Sequence, residues 1–289
     1  MNYRHSYHAG NFADVFKHVV LGRLISGLKR KEKGFLYLDS HAGRGRYDLL
    51  AAERGDTLAR RPEWPEGIGR MLVRNDLPDA VRTYVVGVRD FDRRAGNLGS
   101  ALRFYPGSPW LAKGWLRPQD RMALCELQPA EHAALAAEFG RQSRVSIQVM
   151  DGYAAIRALL PCPEKRALVL IDPPFESAGE WKDIVDAVEA GLVRMPAATF
   201  AVWYPLTVRA RVDAFAAELR RLRLPPTWMA DVAIAGESSG LKMRGCGIAV
   251  INPPWQLDQE IAPLADWLAG ALAQAPGQTG SLTWLAQEN

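Results

Sequence analysis

Cysteine is scarce in this chain of 289 residues: Cys125, Cys162 and Cys246 are its three cysteines, and they are widely spaced. Such spacing favours neither a disulfide framework nor a metal-binding knuckle. The five histidines also lack the short spacings of a zinc site, so we predict no metal. This cysteine usage is typical of a reducing compartment, and we expect a cytoplasmic protein.

Long apolar runs are also missing. No stretch approaches the roughly 20 apolar residues that cross a bilayer, and the N-terminal MNYRHSYHAGNFADVF lacks the apolar run of a signal peptide. Hydrophobic residues nevertheless make up 48% of the chain, which is enough for a full core. We therefore expect one large α/β domain, alone or with an inserted subdomain, with no membrane partner. Nothing indicates more than a monomer.

Net charge is small, +4, but its distribution is uneven. Residues 1–46 contain nine Lys or Arg and three Asp or Glu, a net of +6, so the remainder sums to −2. The run Lys29–Lys33 and the pair Arg44 and Arg46 dominate this excess. Local positive charge attracts polyanions through counterion release. The pattern favours a nucleic-acid partner, although a solvated helix end would explain the charge equally well.

Apolar runs alternate with helical patterns along most of the chain. The patterns predict strands at 35–38, 122–125, 145–149, 167–171 and 200–203, and helices at 13–33, 130–140, 152–160, 179–194 and 207–223. This alternation predicts a Rossmann-like parallel sheet with helices on both faces. Runs at 228–234 and 247–251, separated only by a loop, predict a hairpin that completes a seven-stranded sheet with an antiparallel last strand. A final helix at 258–273 would cover it.

More than 80 residues separate the first two predicted strands, where a minimal βαβ unit needs about 30 in total. Within this gap, residues 78–94 place five apolar side chains on one helical face: Val81, Tyr84, Val85, Val88 and Phe91. We predict an inserted helical subdomain at 48–97, so that 1–47 and 98–289 form the main domain. An insertion there lies above the carboxyl ends of the strands, where substrates approach.

The strongest functional signal is Asp172-Pro173-Pro174-Phe175, directly after the predicted strand 167–171. Ligands of open parallel sheets bind at the carboxyl ends of strands. The Asp172 carboxylate and the Pro173 carbonyl could each accept a hydrogen from an exocyclic base amine and so aim its lone pair at a methyl donor. Phe175 would stack on the base. We predict Asp172, Pro173 and Phe175 as catalytic residues; the alternative is an ordinary Asp-Pro-Pro turn.

Two similar signals are set aside. Asn252-Pro253-Pro254-Trp255 fits the same loose pattern, but it follows the antiparallel strand, whose carboxyl end lies at the opposite edge of the sheet. We assign its prolines to the start of the C-terminal helix. Cys162 lies between two prolines, like the nucleophile of base-carbon methyltransferases, but it precedes its strand and so lies at the wrong edge.

Acidic residues also end the first three predicted strands: Asp39, Glu126 and Asp151. Asp39 opens a glycine-containing turn in which Gly43 lets the backbone approach a cofactor, although the turn lacks the full spacing of a dinucleotide site or a phosphate loop. An acid ahead of glycines suits a cationic ligand without phosphates, such as the sulfonium of S-adenosylmethionine. Glu126 could hold ribose hydroxyls and Asp151 an adenine amine.

With these residues in place, the chain closely resembles the RlmJ family of large-subunit ribosomal RNA adenine-N6 methyltransferases, nearly end to end. The matching segments are 3–18, 38–43, 105–109, 172–175, 203–205 and 251–255. The resemblance implies a class I, S-adenosylmethionine-dependent methyltransferase with a helical insertion. It also implies that the substrate is 23S ribosomal RNA, free or in a partly assembled large subunit.

The resemblance further implies roles for individual residues. Those expected to contact the cofactor are Lys17, His18, His41, Ser108, Glu126, Asp151 and Gly152, beside Asp39, Gly43 and Asp172. From spacing alone, Ser108 is first a helix N-cap followed by proline. Tyr3 and Arg4 belong to an N-terminal motif that we expect to bind the substrate together with Phe175, which stands where the family is expected to have tyrosine. Two alternatives remain: a DNA adenine-N6 or cytosine-N4 methyltransferase, and a non-catalytic RNA-binding module.

Overall fold

The computed structural model describes residues 5–54 and 61–287, so the predicted substrate residues Tyr3 and Arg4 lie outside the described residues. The strands are β1 (Leu36–Asp39), β2 (Arg46–Asp48), β3 (Phe104–Pro106), β4 (Arg121–Cys125), β5 (Val145–Gln148), β6 (Ala167–Ile171), β7 (Thr199–Leu206), β8 (Thr227–Ala233), β9 (Gly245–Ile251) and β10 (Thr279–Ala286). The α-helices are α1 (His5–His8), α2 (Phe12–Lys29), α3 (Leu49–Arg54), α4 (Ile68–Leu72), α5 (Asp79–Arg94), α6 (Ser108–Trp115), α7 (Pro129–Phe139), α8 (Gly152–Leu159), α9 (Glu180–Arg194), α10 (Arg209–Arg221) and α11 (Leu257–Ala271).

Eight of these strands form the central sheet in the order β10-β8-β9-β7-β6-β1-β4-β5. From β5 to β7 all neighbours are parallel, which confirms the expectation from the strand–helix alternation. The pairs β7–β9, β8–β9 and β8–β10 are antiparallel, so the predicted hairpin is also confirmed. Along the chain, β4 and β5 are added on one side of β1, and β6 and β7 are then added on its other side. A crevice for a ligand opens at such a reversal of strand order, here at the carboxyl ends of β1, β4 and β6.

The predicted number of seven strands is wrong, because β10 adds an eighth at the edge of the sheet. This strand follows α11 and pairs with β8. Its residues Thr279–Ala286 alternate between exposed and partly exposed positions along the first half, so no continuous apolar run marks it in the sequence. An edge strand without a continuous apolar run escapes a search for buried strands.

The strand β6 shows how the sheet separates two hydrophobic layers. Leu168 and Leu170 face the layer that contains α2, α5, α6 and α11, whereas Val169 and Ile171 face the layer that contains α8, α9 and α10. This alternation follows from the two-residue repeat of a strand. All five β6 residues are buried, as expected for a strand covered on both faces.

The inserted region begins and ends at the small antiparallel pair β2–β3. Its predicted helix is confirmed as α5, which buries Val81, Tyr84, Val85, Val88 and Phe91. Most of these side chains join the same hydrophobic layer as α2, so the described part of the insertion enlarges the main core. The assignment of 48–97 as a separate subdomain stays a prediction.

Candidate active site

A cavity of about 900 Å³ opens at the carboxyl edge of the sheet, which is within the size range of about 300–1,000 Å³ that is usual for small-molecule sites. The predicted site residues that line it are Lys17, His18, His41, Gly43, Ser108, Glu126, Asp151, Gly152, Asp172, Pro173 and Phe175. The structure therefore brings together residues that are spread between positions 17 and 175 of the sequence. Asp39 does not line the cavity and is fully buried behind its wall.

Asp172 is held by a buried lysine from α2. Lys17 Nζ donates to Asp172 Oδ2 at 2.5 Å and to Asp14 Oδ1 at 2.8 Å. Burial lowers the pKa of Lys17, but the two carboxylates reverse this effect, so its pKa lies well above the ordinary value. Lys17 is therefore a fixed cation beside the carboxylate predicted to be catalytic.

Asp39 positions another residue of the cavity wall. Its Oδ2 accepts hydrogen bonds from Ser108 Oγ at 2.6 Å and from Tyr37 Oη at 2.8 Å, while Oδ1 has no partner among the described residues. Burial raises the pKa of Asp39 to about 6, against the opposing effect of the two hydroxyl donors. The predicted cofactor contact of Asp39 stays a prediction, and the structure places it behind Ser108.

Ser108 is not the N-cap of its helix. The N-cap of α6 is Gly107, and Ser108 is the first helical residue. The interpretation from spacing was wrong by one position, because the Ser108 hydroxyl donates to Asp39 instead of accepting from a backbone amide of its own helix. The N-cap of α2, in contrast, is made by a side chain: Asn11 Oδ1 accepts from the Asp14 amide at 3.0 Å.

Glu126 is fixed by the glycine turn after β1. Its Oε2 accepts from the Gly43 amide at 2.9 Å and its Oε1 from the Gln128 amide at 2.8 Å. Gly43 has φ +60°, and a Cβ there would lie 2.6 Å from Tyr47 Oη, so glycine is required on both grounds. Each carboxylate oxygen keeps a further lone pair, with which Glu126 could accept from ribose hydroxyls.

Asp151 and Gly152 start α8 beside the same turn. Asp151 is the N-cap, and its Oδ1 accepts from the Ala154 amide at 2.8 Å. A Cβ on Gly152 would lie 2.2 Å from the Ser40 carbonyl oxygen and 2.9 Å from His41 Cε1. Gly152 therefore allows the N-terminus of α8 to pack directly against the turn after β1.

His41 offers a hydrogen-bond acceptor to the cavity. The Ser40 hydroxyl donates to the Leu170 carbonyl at 2.8 Å, so His41 Nδ1, also 2.8 Å from that hydroxyl, is the donor of their shared bond. Burial lowers the pKa of His41 to about 4, so the ring is neutral at physiological pH. A neutral ring that donates through Nδ1 leaves Nε2 as an acceptor.

The other side of the cavity is aromatic. Phe175, with φ +51°, packs against Trp181 and Trp203, with ring centroids 4.8 and 5.7 Å away. In the sheet, Ile171 at the end of β6 pairs with Val202, so β7 continues past it. Trp203 and Pro205 alternate along this extension and both line the cavity. Trp203 was not among the predicted site residues, although it directly follows the residue of β7 that pairs with the end of β6.

The basic run Lys29–Lys33 lies away from this cavity. It follows the far end of α2, and a helix of 18 residues is about 27 Å long. Arg117 donates to the carbonyls of Lys29 and Lys31, at 3.3 and 3.0 Å, so this run is tied to the amino edge of the sheet. Arg44 lines the cavity, but its Nε and Nη2 both donate to Glu131.

The two rejected motifs lie at the amino edge of the sheet, as predicted. Asn252 Nδ2 donates to the carbonyls of Pro196 and Ala198, just before β7, at 2.6 and 3.0 Å. Cys162 is buried before β6. The assignment of Pro253 and Pro254 to the helix start was wrong, because α11 begins at Leu257.

Within residues 5–54 and 61–287 no group of three His, Cys, Asp or Glu side chains could hold a metal ion. Across the same ranges, no helix is both long and apolar enough to span a bilayer.

A mostly parallel sheet with a polar cavity at its carboxyl edge is the architecture of Rossmann-like enzymes. The family model described as "Ribosomal RNA large subunit methyltransferase D, RlmJ" matches residues 32–286, and the chain belongs to this family. Over the full length of both chains it is 37% identical to "Ribosomal RNA large subunit methyltransferase J" of Escherichia coli and 38% identical to the protein of that name from Haemophilus influenzae. A crystal structure of protein LPL1258 from Legionella pneumophila has a TM-score of 0.82 and 35% identity, covering 96% of this chain and 97% of that one.

The methyl donor of this family is S-adenosylmethionine, and the cavity fits it. Behind the cavity wall, Asp39 Oδ1 is a buried acceptor without a partner among the described residues. Its carboxylate, like those of Glu126 and Asp151 in the wall, suits a ligand that carries sulfonium and ammonium charges. Gly43 and Gly152 bring the backbone close where side chains would obstruct it. Glu126 and Asp151 offer acceptors for hydroxyl and amine hydrogens.

Proposed function

We propose that this protein transfers a methyl group from S-adenosylmethionine to N6 of an adenine in 23S ribosomal RNA, in the cytoplasm, on free or partly assembled RNA. The observation that carries the proposal is the position of Asp172. This carboxylate lines the cavity together with Glu126 and Asp151, the acids that follow β4 and β5, and with the aromatic side chains of Phe175 and Trp203. Family membership supports the ribosomal RNA substrate.

The residues around β4, β5 and α6 would hold the cofactor. Glu126 would bind ribose hydroxyls, Asp151 the adenine amine, and His41 and Ser108 other polar groups of the ligand. When bound, S-adenosylmethionine supplies an electrophilic methyl group. Its sulfonium charge is lost on transfer, so nearby carboxylates favour the methyl donor over the demethylated product.

Asp172 and Pro173 would prepare the acceptor amine. The lone pair of N6 is delocalised into the purine ring, so the free amine is a poor nucleophile. Because Lys17 occupies Oδ2, Asp172 Oδ1 is the oxygen that would accept one N6 hydrogen, and the Pro173 carbonyl would accept the other. These two acceptors favour a pyramidal nitrogen, and Oδ1 then receives the proton that the methylated nitrogen must lose. Rate enhancement comes mainly from positioning and electrostatics.

A base can reach these acceptors only after it leaves its stack, because its exocyclic amine is paired or crowded within a helix. Phe175 and Trp203 are roughly perpendicular to each other, at 65°, so a base that stacks on one ring meets the other edge-on. The two rings would hold the base after it is flipped out. Direct contacts of Tyr3 and Arg4 with the substrate remain part of the proposal.

The decisive experiment uses purified protein, labelled S-adenosylmethionine and unmodified 23S ribosomal RNA, followed by digestion and identification of the labelled nucleoside. We expect N6-methyladenosine. Competition with duplex DNA tests the adenine-N6 or cytosine-N4 DNA alternative, which predicts that DNA carries the label. Calorimetry with S-adenosylmethionine tests the non-catalytic RNA-binding alternative, which predicts no cofactor binding.

Changing Phe175 tests the base-stacking role. Phe175→Ala is expected to reduce kcat/KM by roughly 10- to 100-fold, because a base–aromatic stack contributes about 1–3 kcal/mol. Phe175→Tyr retains the ring and should have activity within a few-fold of wild type. The measurement is steady-state methylation of RNA with each variant. Equal activity of Phe175→Ala and wild type would remove the stacking role.

The raised pKa of Asp39 predicts a pH dependence of cofactor binding. A cationic ligand binds better when Asp39 is ionised. We therefore expect affinity for S-adenosylmethionine to be highest above pH 6 and to weaken as the pH falls through about 6. The loss should be at most about tenfold per pH unit. S-adenosylhomocysteine lacks the sulfonium charge and should respond less. Calorimetry between pH 5 and 8 measures the affinity for both ligands, with Asp39→Asn as the control. An equal change of affinity with pH for the two ligands would contradict the prediction.

A further inference from the structure

A chain of buried hydrogen bonds runs from the start of α2 to the carboxylate at the reaction centre. The Gly10 amide donates to Asp14 Oδ2 at 2.9 Å, and Lys17 Nζ donates to Asp14 Oδ1 at 2.8 Å. Lys17 then donates to Asp172 Oδ2 at 2.5 Å. The side chains of Asp14 and Lys17 are only 3% and 6% exposed, so water screens this chain poorly.

Asp14 is held more firmly than an ordinary helix residue. Its amide is capped by Asn11 Oδ1 at 3.0 Å, and the Asn11 side-chain amide donates to Glu63 Oε2 at 2.8 Å. Asp14 and Lys17 are three residues apart on α2, where side chains share a face. The position of the Lys17 ammonium is therefore set from the helix side by Asp14.

The balance of charge explains why a second carboxylate is useful. Lys17 and Asp172 alone would form a neutral pair, whereas Asp14 leaves the group of three with one net negative charge. Burial lowers the pKa of Lys17, and Asp14 is the largest contributor that raises it again. Without Asp14, burial would favour the neutral amine, which would hold Asp172 more weakly.

We propose that Asp14 is a positioning residue for methyl transfer, which acts through Lys17 to fix Asp172 Oδ2 and leave Oδ1 for the acceptor amine. This inference rests on the proposed function of Asp172. Asp14 keeps Lys17 charged and in place, and Lys17 holds the Asp172 carboxylate in one orientation. Asp14 also lines the cavity, and the double-mutant cycle with Lys17 separates its action through Lys17 from a direct contact.

Other polar groups face Lys17 from the elements around it and contribute to its titration. They are Asp39 from β1, Tyr84 from α5 and Cys246 from β9, beside Asp14 and Asp172. Asp39 is hydrogen-bonded to Ser108 and Tyr37, and burial raises the pKa values of Tyr84 and Cys246. Of this set, Asp14 and Asp172 alone form hydrogen bonds with Lys17.

The test is Asp14→Asn, which keeps the size of the side chain and removes its charge. We expect kcat to fall by roughly tenfold or more, as for loss of a charge-assisted hydrogen bond, with little change in RNA KM. The alkaline decline of kcat should also move to lower pH, because Lys17 then loses its proton more easily. Asp14→Glu retains the charge, so its kcat should decline at the same alkaline pH as that of the wild type, even if kcat is lower.

Asp120→Asn is the matched control. Asp120 is also buried and also forms an ion pair with a cation three residues away, Arg117, but it lies at the amino edge of the sheet. Its loss should lower the melting temperature without moving the pH profile of kcat. A profile that shifts equally in both variants would show that general destabilisation causes the change.

Lys17→Met completes a double-mutant cycle. If Asp14 acts through Lys17, Asp14→Asn should have almost no further effect on kcat in the Lys17→Met background. The inference would be overturned if Asp14→Asn kept the wild-type pH profile of kcat, or if it lowered kcat as much in the Lys17→Met background as in wild type. Either outcome would leave the proposed function intact. Failure of the wild-type protein to methylate RNA would instead defeat the proposed function itself.

Discussion

Asp172→Ala is expected to abolish methylation of RNA while S-adenosylmethionine still binds. The variant removes the acceptor that would orient N6, a kind of loss that lowers kcat by roughly 100- to 1,000-fold or more. Asp172→Asn should be nearly as inactive, because an amide cannot take up the proton that leaves the nitrogen. Single-turnover methylation measures the chemical step, and calorimetry measures cofactor affinity.

The control for this pair is Asp186→Asn, which removes a surface carboxylate paired with Lys182 on α9. Exposed pairs of this kind contribute about 0–1 kcal/mol, so activity and stability should stay close to wild type. Methylation by Asp172→Ala at the wild-type rate would show that the catalytic assignment is wrong. Loss of cofactor binding together with activity would instead make Asp172 mainly a cofactor residue.

Gly152→Ala should have the second-largest effect, through the cofactor side of the cavity. Its Cβ would lie 2.2 Å from the Ser40 carbonyl oxygen, a backbone atom that cannot move alone. The N-terminus of α8 must shift, which displaces Asp151 and His41 and destabilises the fold by about 1–3 kcal/mol. We expect affinity for S-adenosylmethionine to fall by about tenfold or more.

Gly270→Ala provides the comparison, since a Cβ at Gly270 on α11 meets nothing within 4 Å. Alanine is favoured over glycine within a helix by about 0.5–1 kcal/mol, so this variant should melt slightly higher and bind the cofactor normally. Thermal unfolding and calorimetry on both variants test the pair. Normal affinity in Gly152→Ala would mean that the approach of α8 to the turn after β1 is unimportant for binding.

Sequence patterns predicted most of the strands whose carboxyl ends form the site. The buried strand before Asp172 has an unambiguous apolar pattern, and strand ends in a parallel sheet meet at one edge. That geometry was enough to group Asp172 with Glu126 and Asp151 and to separate them from the similar motif at Asn252. The aromatic Phe175 followed from the same argument, because it is attached to the same turn.

The contacts made from α2 could not be predicted from spacing. Lys17 is 155 residues away from Asp172 in the sequence, and the resemblance to a family suggested only a cofactor contact for it. The buried role of Asp39 was also missed, because a carboxylate that ends a strand can face the cavity or lie behind it. The distance between the basic run Lys29–Lys33 and the cavity could not be predicted either, because charge composition carries no information on position.

The eighth strand, β10, has a consequence for how copies of this protein coexist at high concentration. Without it, β8 would present a row of free backbone donors and acceptors next to a mostly buried strand, a template on which another chain can add. β10 pairs with that row and exposes Thr279, Ser281 and Thr283. Its own outer row then becomes the edge of the sheet, without the charge or proline that commonly blocks the addition of another chain, so we expect self-association to begin at β10. Because β10 lies four strands from β6, which leads to Asp172, this edge can change without disturbing the chemistry.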